Sequence, residues 1–153
     1  LLHDIGKIDS VYVEIIRKPA ALTDDEHRVI KTHSVKGAEL LQTLTSFSDD
    51  VVRGVRHHHE RYDGRGYPDG ISGESIPLAS RIIMLCDAID AMLSDRPYRS
   101  ALTIDEVERE ITACSGSQFD PKIVDTVLRK NTLYRAAALI HSGDVSGQQL
   151  VGV

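Results

Sequence analysis

An all-α fold is the class this sequence predicts, on two observations. Helix start signals recur along the chain, and no segment alternates apolar and polar residues for long enough to suggest a sheet. Thr23 followed by Glu26 makes a capping box, in which each side chain satisfies the other's free backbone N–H, and it opens a helix expected to reach about Leu44. Ser48, with Asp49 and Asp50 in the favourable field of a helix N-terminus, starts a second helix to about Glu60. Residues 79–94 read as a third helix, apolar almost all round and therefore buried. Thr103 and Glu106 repeat the capping box, and Asp120-Pro121 supplies an N-cap followed by proline at the first helical position.

Between Arg61 and Pro77 lies a loop with four glycines and two prolines, too long for an ordinary helix connection. Its Tyr62, Tyr67 and Ile71 argue against simple disorder, so a functional loop is expected. From Ser142 the chain turns rich in Ser, Gly and Gln. The division is therefore a domain over 1–141 and a flexible tail over 142–153.

Composition narrows the class. A chain of 153 residues with 41% hydrophobic and 27% charged residues can bury a core and is not a disordered tail. Nothing approaches the ~20 consecutive apolar residues of a membrane span, and no signal peptide is legible, so a cytoplasmic domain without membrane contact is expected. The formal net charge of −5 argues against a surface for long nucleic acid. Cys86 and Cys114 stand far apart in apolar patterns and read as two reduced, buried thiols. The chain opens at Leu1, in what reads as the end of a helix, and is taken as a piece of a longer protein.

Histidine is the informative residue. On a helical wheel for the second helix, Val51, Val52 and Val55 form the buried stripe and His58 and His59 fall on its edges, while His57 falls with Asp50, Arg53 and Gly54 on the wet face. Two inward histidines side by side each need a partner, and a metal supplies one to both. His33 shares an inward face with Ile30, Gly37, Leu41 and Leu44, whereas His27 and His141 read as solvated. Asp87 stands in the apolar run Ile82 to Ile89, where an unpaired carboxylate would cost several kcal/mol (about 2–7 for a polar group, more for a charge) unless a cation is near. Asp90 lies one turn on, near the same face. His3-Asp4 is a weak pair alone and gains force from Ile5-Gly6-Lys7 behind it. Histidines with a shared carboxylate suit first-row metals such as iron or manganese, and two metals sharing an aspartate suit in-line displacement at phosphorus.

These residues follow one known order: His3-Asp4-Ile5-Gly6-Lys7, Lys31-Thr32-His33, and His58-His59-Glu60-Arg61-Tyr62-Asp63-Gly64-Arg65-Gly66-Tyr67-Pro68. Then come Asp87-Ala88-Ile89-Asp90-Ala91-Met92, Ser94-Asp95-Arg96-Pro97-Tyr98-Arg99 and Gln118-Phe119-Asp120-Pro121. Over about residues 1 to 130 the chain closely resembles the HD-GYP domain, a branch of the HD metal-dependent phosphohydrolases.

The resemblance implies an HD-superfamily helical bundle that hydrolyses the bacterial second messenger cyclic di-GMP to pGpG, GMP or both. It implies two or three divalent ions, iron or manganese, held by His3, Asp4 (bridging), His33, His58, His59 and Asp87. Lys7 would contact the scissile phosphate. Gly66, Tyr67 and Pro68 would belong to the substrate-side loop, with Asp90, Arg96 and Arg99 also on the substrate side. For Gln118 to Pro121 the expectation is structural: Asp120 caps a helix and Phe119 packs.

The chain departs from the family pattern twice. Family members carry a further ligand histidine on a helix before the His-Asp pair, ahead of this chain's start, and Ile8 to Tyr12 stand where the family usually has a Gly-Ile-Pro turn. An upstream sensory or receiver domain and a diguanylate cyclase partner are expected in such proteins. The alternatives are a non-catalytic module that binds cyclic dinucleotide or a signalling partner, and an HD phosphohydrolase for another nucleotide.

Overall fold

A computed structural model describes residues 2–18, 20–44, 46–95, 99–130 and 132–142, and among them it contains helices and no strand. A 3-10 segment, Leu2–Ile8, opens the chain. It is followed by α1 (Ser10–Ile16), α2 (Asp24–Lys31), α3 (His33–Thr43) and α4 (Asp49–Arg56), then by α5 (Leu78–Leu93), α6 (Ile104–Ala113), α7 (Pro121–Arg129) and α8 (Thr132–Ser142). Of the tail expected over 142–153, Ser142 is the last residue of α8 and residues 143–153 lie outside the described residues.

Three of the start signals act as the sequence proposes. Thr23–Glu26 and Thr103–Glu106 form complete capping boxes, and Asp120 accepts the Lys122 N–H at the start of α7. Ser48 has the extended backbone of an N-cap but makes no side-chain bond to the turn it precedes.

Elsewhere the boundaries move. The helix expected from Thr23 to Leu44 divides at Thr32. There the Thr32 hydroxyl donates to the Val29 carbonyl at 2.7 Å and meets the Tyr12 hydroxyl at 2.6 Å, drawing the backbone out of register. The second helix stops at Arg56 and not near Glu60: His57 takes φ −104° and ψ 12°, and residues 57–59 form a turn. Two short helices, α1 and α8, had no start signal in the sequence reading. Asp9 caps α1, which seats Tyr12 fully buried.

The apolar face of α5 is one-sided. Leu85, Ile89, Met92 and Leu93 are buried, whereas Leu78, Ile82, Cys86, Asp87 and Asp90 face outward. The expectation of a helix buried all round is therefore corrected. So is that of two buried thiols, since Cys86 is exposed one turn beyond Ile82 and Cys114 is half-buried, both free.

Packing runs in sequence order: the 3-10 segment lies against α3, α3 against α4, and α4 against α5, which in turn meets α6, α7 and α8. Ser80 of α5 donates to the Gly54 carbonyl of α4 at 3.1 Å. The loop from Arg61 to Pro77 is held at both ends. Tyr62 and Asp63 donate N–H bonds to the Gln118 and Ser117 carbonyls, and Ile76 is buried. Phe119 packs into the core as expected, while Asp120 also pairs with Arg81.

Candidate metal centre

Five segments deliver the site. The 3-10 segment brings His3, Asp4 and Lys7; its i, i+3 spacing eclipses side chains, and Lys7 Nζ donates to Asp4 Oδ2 at 2.9 Å. Gly6 is what lets this segment approach α3, because a Cβ there would run into the His33 carbonyl and the Gly37 amide. His33 opens α3, His58 and His59 occupy the turn after α4, Asp87 comes from α5, and the glycine-rich loop brings Tyr67.

The imidazoles converge through their Nε2 atoms. His33 Nε2 lies 3.2 Å from both His58 Nε2 and His59 Nε2, and 3.3 Å from Asp4 Oδ1. His58 Nε2 lies 3.8 Å from the same Asp4 oxygen. On the other side, His3 Nε2 is 3.6 Å from Asp4 Oδ2 and 3.8 Å from Asp87 Oδ1. Asp4 thus turns one oxygen toward His33 and His58, and the other toward His3 and Lys7. The sequence-derived ligands His3, Asp4, His33, His58, His59 and Asp87 are brought together.

The donor set fits a cation on an observation of its own. His33 Nδ1 donates to the Ile30 carbonyl at 2.7 Å and His58 Nδ1 to the Val55 carbonyl at 2.6 Å. A neutral imidazole carries one N–H, so both facing Nε2 atoms hold lone pairs. Two lone pairs at 3.2 Å repel unless a positive charge lies between or beside them. Asp4 Oδ1, buried and without a hydrogen-bond partner, points to the same need. Asp4, His33, His58 and His59 offer ligand atoms all within 4.8 Å of one another.

Electrostatics agree with that geometry. Burial pushes His58 down to about 4, against the opposing pull of the Val55 carbonyl. Burial, with the neighbouring His58 and His33, pushes His59 lower still, which keeps both rings neutral and able to ligate. Burial would raise Asp4, but the neighbouring His33 and the charge and hydrogen bond of Lys7 outweigh this and hold the carboxyl below the usual carboxylate range. Tyr67 stacks on His59, with centroids 4.9 Å apart, and Lys31 Nζ sits 5.5 Å from the centre of the same tyrosine ring. Burial and the nearby Asp4 and Asp87 push the Tyr67 phenol up.

Two expectations about the site are corrected. Asp87 is not buried: its side chain is 47% exposed, so desolvation does not call for a cation there, and what joins it to the site is the 3.8 Å approach of His3 Nε2. His57 does not face water. It is only 9% exposed, because the chain leaves the helix there and the wheel no longer applies, and its Nδ1 lies 3.5 Å from Asp69 Oδ2.

Of the residues expected on the substrate side, Arg99 donates to the Ala91 carbonyl near the end of α5, and Asp90 is exposed on the same helix. Arg96 lies outside the described residues. Sequence reasoning passed over Glu60, Asp69 and Arg56; the signal was a glutamate inside the quoted motif, directly after two inward histidines.

A helical bundle with this histidine–aspartate centre defines a class, and the HD domain family model matches residues 1–123. The chain belongs to the HD family, in its HD-GYP branch. It is 46% identical over 129 residues to the cyclic di-GMP phosphodiesterase response regulator RpfG of Xanthomonas campestris, covering 84% of this chain and 34% of that protein. It is 39% identical over 140 residues to a cyclic di-GMP phosphodiesterase of Pseudomonas aeruginosa, covering 92% and 33%. A crystal structure of a cyclic GMP-AMP-specific phosphodiesterase of Vibrio cholerae aligns with TM-score 0.61 and 25% identity, over 89% of this chain and 38% of that one. The chain spans about a third of the length of the curated relatives named here. Among the described residues, no helix is long and apolar enough to cross a membrane.

Proposed function

We propose that this domain is a metal-dependent phosphodiesterase that hydrolyses cyclic di-GMP to pGpG, GMP or both. The observation that carries the reading is the pairing of committed Nδ1 atoms with converging Nε2 lone pairs on His33 and His58, next to an unpartnered oxygen of Asp4.

His33, His58 and His59 would hold one ion and His3 with Asp87 another, with Asp4 shared; iron or manganese suits this donor set. When bound, the ions supply Lewis-acid charge to the phosphate and lower the pKa of the attacking water. Lys7, half-buried beside Asp4, presents a cation to the phosphate being cut. Tyr67 forms a wall over His59, and Gly66 lets the loop come close enough to build that wall, since a Cβ there would strike the backbone of residues 59–61. Pro68, Asp90 and Arg99 would complete the substrate side; Arg96 is assigned there from the family resemblance alone, and arginine suits phosphate and guanine.

Similarity to relatives named for cyclic di-GMP, at up to 46% identity, supports that substrate over 3'3'-cGAMP, for which a Vibrio cholerae relative is 42% identical over a shorter 106 residues. The whole protein is expected to act in the cytoplasm, with an upstream sensory or receiver domain and a diguanylate cyclase as partner.

The test is hydrolysis of cyclic di-GMP and 3'3'-cGAMP by the full protein, purified reducing with iron or manganese. Faster turnover of cyclic di-GMP that chelation abolishes supports the reading. Tight metal binding with no turnover of either would replace it with the non-catalytic module.

A further inference from the structure

Glu60 is among the most deeply buried groups of the molecule, at 1% exposure, and it sits one residue past ligand His59 without pointing at the metal centre. Its Oε1 accepts two backbone N–H bonds from the middle of the glycine-rich loop, from Asp69 at 2.7 Å and Gly70 at 3.0 Å. The near end of the same excursion is fixed by Tyr67 N–H, which donates to the His59 carbonyl at 3.2 Å. Gly66 lies directly over the backbone of residues 59–61, where no side chain fits. Between these anchors the only large ring is Tyr67, stacked on His59.

Asp69 adds an outer clasp. Both its oxygens are taken by Arg56, at 2.9 and 2.8 Å, which ties the loop to the last turn of α4. His57 Nδ1 lies between the carboxylates, 3.5 Å from Asp69 Oδ2 and 3.8 Å from Glu60 Oε1. These three residues could surround a cation by distance alone. Glu60 Oε2 and His57 Nδ1 are buried without a hydrogen-bond partner, but Arg56 supplies the positive charge to Asp69 and two N–H groups fill Glu60 Oε1, so the bonds that are made are those of a tether.

We propose that Glu60 is a positioning residue: its carboxylate fixes residues 66–70, and with them Tyr67, against ligand His59, so that the substrate wall is set before substrate arrives. The proposal rests on the phosphodiesterase reading for its kinetic consequence but not for its structural one. Reach and not charge is the requirement, because two neutral amides need one well-placed acceptor. The orientation of His33 and His58 does not depend on the tether, being set by the Ile30 and Val55 carbonyls.

Glu60→Gln keeps the reach and loses the charge; Glu60→Asp keeps the charge and is one methylene short. In the full, metal-loaded protein, Glu60→Asp is expected to raise KM for cyclic di-GMP roughly tenfold, with metal per chain unchanged. Amide exchange at Asp69 and Gly70 should quicken to match. Glu60→Gln should stay near wild type in all three. The proposal is overturned if Asp is the harmless variant and Gln the damaging one, if neither variant changes KM or exchange, or if either loses metal. Exchange is read without substrate, so a wild type that hydrolyses nothing would count against the proposed function while the tether is still tested.

Discussion

Among the described residues, helices α5 to α8 and Phe119, just ahead of α7, bury ten apolar residues together, from Leu85 through Ile111 to Ala137. The α3–α4 side, among the described residues, shares a cluster of four, Ala38, Leu41, Val52 and Val55. Beside those four lie buried His33, Ser34, His57, His58 and Glu60. The first region stabilises itself by removing hydrocarbon from water, at about 25 cal/mol per Å². The second buries imidazoles and carboxylates, which cost free energy until hydrogen bonds or a cation satisfy them. One region is thus held chiefly by its apolar core, and the other buries groups that hydrogen bonds or a cation have to satisfy.

The sharpest way to break this contrast is to damage the polar side alone. His58→Ala should reduce phosphodiester hydrolysis more than roughly hundredfold, since even outer partners of ligands are worth 10–100-fold, and should deplete bound metal. A His58→Ala protein with normal metal content would remove histidine ligation from the account.

Metal removal should act on stability with the same asymmetry. Ions bound at about a thousand times their Kd stabilise by ~4 kcal/mol, so chelation should lower the melting temperature. Hydrogen exchange should rise in α3, α4 and residues 57–60 before it rises in α6 or α7. Uniform loosening of the whole chain would mean that the two regions are not energetically distinct.

A smaller effect is expected from pH in the metal-free protein. Folding holds His58 at about 4, well below the ordinary histidine value of ~6.5. Between those values the unfolded chain takes up a proton that the folded chain refuses, so stability falls as pH drops from ~6.5 toward 4 and is constant above. The slope is at most ~1.4 kcal/mol per pH unit for this histidine, and His59, also pushed down by burial, adds in the same direction. Denaturant melts across that window measure it, and a stability that rises on acidification would reverse the sign. Bound metal should extend the fall to lower pH, because it holds the folded-state histidines unprotonated while the unfolded chain still takes up protons.

The smallest expected change sharpens the comparison from the apolar side. Thr103→Ala removes the acceptor of the Glu106 N–H and should cost about 1 kcal/mol by chemical melting, with metal content and turnover unaltered. Loss of metal in this variant would show that α6 and the centre are coupled.

Local chemistry was legible where it is written in a few adjacent residues. The capping boxes at Thr23 and Thr103 and the Asp120 cap come from such short signals, and all three are made. The six ligand candidates were legible through their residue types and order, and the fold brings them to one place. What failed was extrapolation of helical geometry. A wheel carried past Arg56 put His57 in water, yet the backbone turns at that residue and buries it. A wholly apolar reading of α5 missed that packing covers one face only, leaving Asp87 and Cys86 outward. Helix α1 was missed although Asp9 caps it, because a single cap residue before seven residues is a weak signal and the helix also rests on Tyr12, seated in the core and bonded to Thr32 twenty residues away.

Asp4 faces both groups of candidate ligands, with Oδ1 toward His33 and His58 and Oδ2 toward His3, and the proposed two-metal site stands on that carboxylate being shared. Asp4→Asn keeps the shape of the side chain and removes its charge. Metal per chain and cyclic di-GMP turnover, measured on the same preparations of wild-type and Asp4→Asn full-length protein, test this directly. The account expects about two ions and turnover in the wild type, as a shared carboxylate between two metals requires, and loss of both metal and turnover in the variant. Wild-type metal content together with wild-type turnover in Asp4→Asn would contradict it.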